Sequence, residues 1–215
     1  MSNQARASDD YSFQWLDPDK KIYVLQNRRY EKAEKLILSG MLGVSSSNAY
    51  RSTYNFDIRM AYYMSETIGI EAFYIHSRNS GNNTYDALLN GSSSTIPITR
   101  EFVNQFGGLL HWAPWYAKIN FFNQILYFDW YLTGGLGLAQ TDLDINTKKN
   151  GAPNYVADDL FTFYLGTGQL FHVSERFKVR LDFLSGIYQA PVFGDGGSNV
   201  WFSNLMFDIG IGYQL

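Results

Sequence analysis

The chain has 215 residues, a formal net charge of −3 and no cysteine, which excludes a disulfide framework, a thiolate nucleophile and a cysteine metal site. It also lacks the broad electropositive field that nucleic-acid binding needs. Aromatic residues make up 17% of it beside 19 Gly and only 5 Pro, a mixture that suits strands in one domain.

In chain order, Met1 to Arg6 lack the apolar core of a secretory signal, so export requires that a signal has been removed. No apolar run reaches the roughly 18 to 20 residues of a membrane-spanning helix. Residues 1–32 read as an N-terminal periplasmic extension and 33–215 as a barrel. The extension is charged and turn-prone at Asp9, Asp10 and Asp17 to Lys21. Its Tyr11, Phe13, Trp15, Ile22, Tyr23, Val24 and Leu25 are nevertheless too apolar for a linker. They need either the underside of the barrel, as a plug, or a neighbouring copy or periplasmic partner.

Eight strands follow. Lys35 to Val44 is the first. Tyr54, Phe56, Ile58, Met60 and Tyr62 then alternate with Asn55, Asp57, Arg59, Ala61 and Tyr63, and Ile68, Ile70, Ala72 and Tyr74 alternate with Gly69, Glu71 and Phe73. Arg100 to Trp112, Tyr127 to Gln140 and Leu160 to Val173 keep a large apolar series opposite small residues. Phe177, Val179, Leu181, Phe183 and Ile187 alternate with Lys178, Arg180, Asp182 and Gly186. The chain closes on Leu205, Phe207, Ile209, Ile211, Tyr213 and Leu215 against Asn204, Met206, Asp208, Gly210, Gly212 and Gln214. Period two is the strand period, whereas a helix would scatter both sets.

Connections alternate in length. Ser65-Glu66-Thr67 and Ser174-Glu175-Arg176 are tight, while Asn79 to Thr99, Thr141 to Asp159 and Ala190 to Asn199 are long. Outer-membrane barrels keep short turns in the periplasm and long loops outside, which puts both termini in the periplasm. Ala113 to Leu126 is a long connection on the short-turn side and reads as a periplasmic aromatic hook at the membrane boundary.

A lipocalin-like soluble barrel also alternates, with its apolar residues facing a cavity. Side-chain size separates the two. Gly69, Gly166, Gly168, Gly186, Gly210 and Gly212 lie in the polar register, where an eight-stranded lumen is crowded. The expected fold is therefore an all-β, eight-stranded antiparallel transmembrane up-and-down barrel, apolar outside and polar inside, with outer-membrane lipid as its surroundings.

The last residues resemble the C-terminal targeting signal of bacterial outer-membrane proteins: Asp208, Gly210, Tyr213 and a final Leu215, where Phe is commoner. That resemblance implies the barrel-assembly machinery as a partner during biogenesis. The run Ile22 to Tyr30, then Ala61 to Ala72, then Pro114, Tyr116 and Lys118 followed by Phe128 and Asp129, resembles the outer-membrane β-barrel domain family of myxobacteria and predatory Bdellovibrio-type bacteria. Ala117 stands where Gly is expected. The resemblance implies an outer-membrane barrel and no enzymatic activity.

The inward register should hold Lys35, Asp57, Arg59, Glu71, Asp129, Lys178, Arg180, Asp182 and Asp208. Mixed signs suit a paired network, because an unpaired buried charge is costly. The sharper alternative is an ion path, making the chain a narrow porin, although eight strands leave little bore. Trp112, Trp115, Tyr116, Tyr127, Trp130 and Trp201 suit interfacial girdles. His76, His111 and His172 fall on different strands without ligand spacing, and no metal or cofactor is expected. A lipid-modifying enzyme would need a nucleophile and base in reach; His76, Ser77 and Asp86 are adjacent in sequence only. Asn104 and Gln169, with Gly108 and Gly134, should face hydrocarbon and could join copies of the chain through their walls. The expected role is structural: membrane organisation or presentation of extracellular loops.

Overall fold

The computed structural model describes residues 28–46, 48–90, 98–145, 154–191 and 198–215. Residues 1–27 of the expected extension, including the apolar Tyr11 to Leu25, lie outside the described residues, as do the tips of the long connections at 91–97, 146–153 and 192–197.

Eight strands form: β1 (Lys35–Ser45), β2 (Arg51–Tyr63), β3 (Ile68–Gly81), β4 (Thr99–Phe121), β5 (Gln124–Asp144), β6 (Tyr155–His172), β7 (Phe177–Pro191) and β8 (Asn199–Gln214), with one helix, α1 (Asn83–Asn90), between β3 and β4. Each strand pairs antiparallel with the next, and β1 pairs with β8 to close the barrel. Closure leaves no edge strand and satisfies every ladder between strands, the condition a sheet must meet inside hydrocarbon.

Alternation sets the two faces. On β8, Asn204, Met206 and Asp208 are buried while Leu205, Phe207, Ile209 and Ile211 are exposed. On β2, Asn55, Asp57, Arg59 and Ala61 point in, and Phe56, Ile58 and Met60 point out. Asn104, Gly108, Gly134 and Gln169 lie in the outward register, as expected. Inward glycines make room in the narrow lumen: a Cβ at Gly43 would collide with the Asp208 carboxylate, and one at Gly168 with Tyr131 and Asp182.

Three features differ from the sequence reading. The stretch Ala113 to Leu126 is a continuation of β4 and β5, paired from Trp115↔Trp130 to Phe121↔Gln124. A bulge between Trp112 and Trp115 interrupts the alternation there, which hid the strands. The ribbon turns through Phe122 and Asn123, both at positive φ (47° and 61°), the backbone of a two-residue hairpin turn. Secondly, the connection after β3 contains α1, capped where Asn82 Oδ1 accepts from the Tyr85 amide at 3.0 Å. Thirdly, the interior is not simply polar. Apolar clusters recur along it: Ile37, Tyr63, Tyr131 and Leu170 toward the C-terminus; Phe73, Ile75, Leu109, Tyr164 and Met206 at mid-height; Phe102, Leu160 and Tyr188 toward the long connections.

Candidate functional site

Polar clusters alternate with these apolar layers, and two of them hold most of the buried charge among the described residues. The central one is built around two guanidiniums. Arg59 on β2 reaches Asp57 at 2.6 Å, Asp182 at 2.7 Å and Asp208 at 3.2 Å. Arg180 on β7 contacts both carboxylate oxygens of Glu71 and lies 2.8 Å from Asp182. Tyr131 donates its hydroxyl to Asp182 and accepts from Arg180 Nε at 2.8 Å. His111 sits 3.5 Å from Glu71 and stacks on Tyr131. These members come from β2, β3, β4, β5, β7 and β8, so the network ties opposite walls together. Buried charges of this kind are tolerable only when paired and hydrogen-bonded.

The second cluster closes the mouth at the end that holds the C-terminus and the start of β1. Residues 28–34 cross beneath the barrel. Asp129 on β5 takes Lys32 at 2.7 Å, Arg28 at 2.9 Å and His172 at 2.7 Å. Tyr30 stacks on the His172 ring, with centroids 5.2 Å apart and planes 9° from parallel. Glu66, in the turn between β2 and β3, accepts from the Lys32 and Ala33 amides at 3.0 and 2.8 Å. Lys32 is fully buried. Burial pushes its ammonium below the ordinary lysine value, against the opposing pull of Asp129.

Asp57, Arg59, Glu71, Arg180, Asp182 and Asp208 thus come together as expected of a lumen network. Asp129 belongs to the mouth cluster instead. Lys178 is inward and buried, but its ammonium turns back to the Ser174 and Glu175 carbonyls at 3.0 and 2.9 Å. Lys35 shares the inward register yet is exposed and outside the network, because it is the first residue of β1 and sits at the rim beside residues 28–31. The reading by type missed His111, His172 and Tyr131, although inward parity marks all three; it also missed Arg28 and Lys32, which precede any strand.

Trp112, Trp115 and Trp130 form an outward aromatic cluster at the C-terminus end of the barrel, with the Trp115 ring centroid 6.2 Å from that of Trp112 and 5.9 Å from that of Trp130. Trp201 is outward near the opposite end. Tyr116 and Tyr127 are not part of an outward girdle. The bulge shifts the parity of β4 so that Tyr116 faces inward and stacks on Tyr127, and Arg28 lies 4.8 Å over the Tyr116 ring. His76 points outward and Ser77 inward, on opposite faces of β3, so the two cannot share a reacting atom.

The outward apolar residues form a continuous wall: Leu42, Ile58, Phe163, Phe207, Ile209 and Ile211 are each at least 44% exposed. Water would penalise such a surface at ~25 cal/mol per Å², whereas hydrocarbon does not. With a closed barrel and a packed interior, this is the arrangement of a membrane-spanning β-barrel.

No protein-family model and no curated protein matches the sequence. Among solved structures, the N-terminal β-barrel domain of Pseudomonas aeruginosa OprF is similar at 9% identity and a TM-score of 0.52, covering 85% of this chain and 98% of that one. Neisserial surface protein A aligns at 11% identity and a TM-score of 0.49, covering 85% and 97% of the two chains. Pseudomonas aeruginosa outer membrane protein OprG aligns at 13% and 0.43, covering 86% and 98%. The first likeness shows a shared eight-stranded up-and-down barrel fold.

Proposed function

We propose that the protein is a structural barrel of the bacterial outer membrane, with both termini in the periplasm and its long connections outside. It acts by anchoring and packing rather than by turnover. The observation that carries this reading is the filled lumen: Arg59 and Arg180 bridge opposite walls, Tyr131 and Tyr164 are almost wholly buried, and residues 28–34 close one mouth. The short turns at Ser65 to Thr67 and Ser174 to Arg176 support the orientation. The C-terminal signal at Asp208, Gly210, Tyr213 and Leu215 supports delivery by the barrel-assembly machinery.

Membership of the myxobacterial and Bdellovibrio-type barrel family is part of the same proposal. It is supported by the meeting of its signature segments, since Arg28 of the first run contacts Tyr116 and Asp129 of the mid-chain run. The narrow-porin reading has the charged lumen in its favour. Planar-bilayer recordings on protein that shows a heat-modifiable gel shift decide between the two: no discrete conductance is expected, and reproducible steps would favour the porin.

A further inference from the structure

The outward register of β3 runs apolar through Ile68, Ile70 and Ala72, reaches Tyr74, and then turns polar at His76 and Arg78. The residues beside it on neighbouring strands turn polar at the same height: Tyr54 pairs with Arg78, Asn104 with His76, and Gln140 with Asn104. Asn104 Oδ1 accepts from the Tyr74 hydroxyl at 2.9 Å and lies 3.0 Å from His76 Nδ1, while its amide donates to Gln140 Oε1 at 3.0 Å. These bonds hold four polar side chains in place on the membrane side of the wall. Arg78 is exposed and makes no ion pair among the described residues.

With ~3.3 Å of rise per residue and strands tilted about 40°, His76 stands roughly 20 Å and Arg78 roughly 25 Å above Ile68. That is the height of the apolar band, so Arg78 lies at headgroup level on the side of the long connections. Below it, a groove of about 390 Å³ is lined by Met60, Tyr62, Ile70, Ala72, Gly108 and Leu110. It exists because Ala72 and Gly108 are paired neighbours with almost no side-chain bulk. A Cβ on Gly108 would meet only the Glu71 carbonyl oxygen, at 3.8 Å.

We propose that this face binds one phosphorylated glycolipid of the outer leaflet, of the lipid A type. Arg78 takes a phosphate oxygen. His76, Asn104 and Gln140 offer both donors and acceptors to sugar hydroxyls, which a simple diacyl phosphate lacks. An acyl chain descends over Tyr74 and Phe106 into the groove, about 20 Å along the strand from Arg78 to Ala72. Asp159 faces outward beside Gln140, two strands from Asn104 and about 10 Å away. At a headgroup surface bathed in salt, its repulsion of a phosphate is largely screened at that distance. The inference rests on the orientation proposed above.

Native mass spectrometry of the detergent-extracted, folded chain tests it, with lipid A and phosphatidylglycerol titrated in parallel and a heat-shift gel on every sample. The expected result is one lipid A per barrel, retained where phosphatidylglycerol is lost. Arg78→Gln should weaken it about tenfold. Gly108→Leu, which fills the groove where there is room for a side chain, should weaken it at least threefold with the heat shift intact. Equal retention of both lipids, or indifference to both substitutions, overturns the proposal. So does a lipid-free pair of barrels that Gly108→Leu dissociates, which would make a second copy the occupant. A wild-type chain without a heat shift would overturn the barrel reading itself.

Discussion

Arg59 and Asp182, which are 123 residues apart in sequence, meet across the lumen with Nη1 and Oδ2 separated by 2.7 Å. The pair joins β2 to β7, strands that share no ladder. Removing the guanidinium leaves Asp57, Asp182 and Asp208 without their shared partner. Arg59→Met should destabilise the barrel by about 3–5 kcal/mol, the usual cost of stripping one member from a buried ionic group. Urea titration of the heat-shifted band in liposomes measures it. Adding Asp208→Asn, which neutralises a carboxylate whose only ion pair among the described residues is with Arg59, should recover part of the loss.

Gly40 and Gly43 lie on the same strand with opposite surroundings. Gly43 faces the lumen against Asp208, whereas nothing lies within 4 Å of a Cβ at Gly40. Gly43→Ala should therefore cost about 1–3 kcal/mol by overpacking, and Gly40→Ala close to nothing. Equal effects in the same titration would contradict the assignment of faces.

Asp129 holds the plug. In Asp129→Asn, Lys32 and Arg28 lose their carboxylate and His172 its acceptor. Amide hydrogen exchange at residues 30–34 should quicken at least tenfold while the strands stay protected. Unchanged exchange would mean that the Glu66 bonds to the Lys32 and Ala33 amides suffice.

The plug should also respond to pH in an unusual direction. Burial lowers the Lys32 value, so the released segment binds more protons than the docked one between that value and the ordinary 10.5. Docking is then weakest below the window and strengthens as pH rises through it. Exchange at residues 30–34, corrected for its intrinsic pH dependence, should slow across that range, and Lys32→Met should remove the slope.

On the outer wall, Ile58→Arg or Phe207→Lys places a charge in hydrocarbon, at about 2–4 kcal/mol near the midplane. Folding yield into liposomes should fall for both. Charges at the exposed ribbon tip, as in Phe122→Lys, should leave the yield unchanged.

The fold was legible because hydrocarbon outside and a crowded lumen inside impose period two with opposite chemistry on each face. Asp208, Gly210 and Gly212 against Phe207, Ile209 and Ile211 display it most clearly. Legibility failed where that constraint lapses. Beyond Trp112 the ribbon has left the β3 ladder, and its bulge shifts the parity that would otherwise put Tyr116 outside, turning it inward. Lys35 had the right parity but the wrong height. Alternation says which residues enter the lumen, and says nothing of which meet there. That Arg180 finds Glu71, or that Asp129 recruits Lys32, follows from the stagger of the closed barrel and from a chain segment with no periodicity at all.

The most direct test of the central claim uses the absence of cysteine. Single cysteines at Leu205, Phe207, Ile209 and Ile211, labelled with an environment-sensitive fluorophore in liposomes containing nitroxide lipids, should all be strongly quenched. Labels placed at Asn204, Met206 and Asp208 should be unquenched or fail to attach. The reverse pattern, with the odd positions shielded and the even ones open, would mean that the apolar face points inward and that the chain is not a membrane barrel.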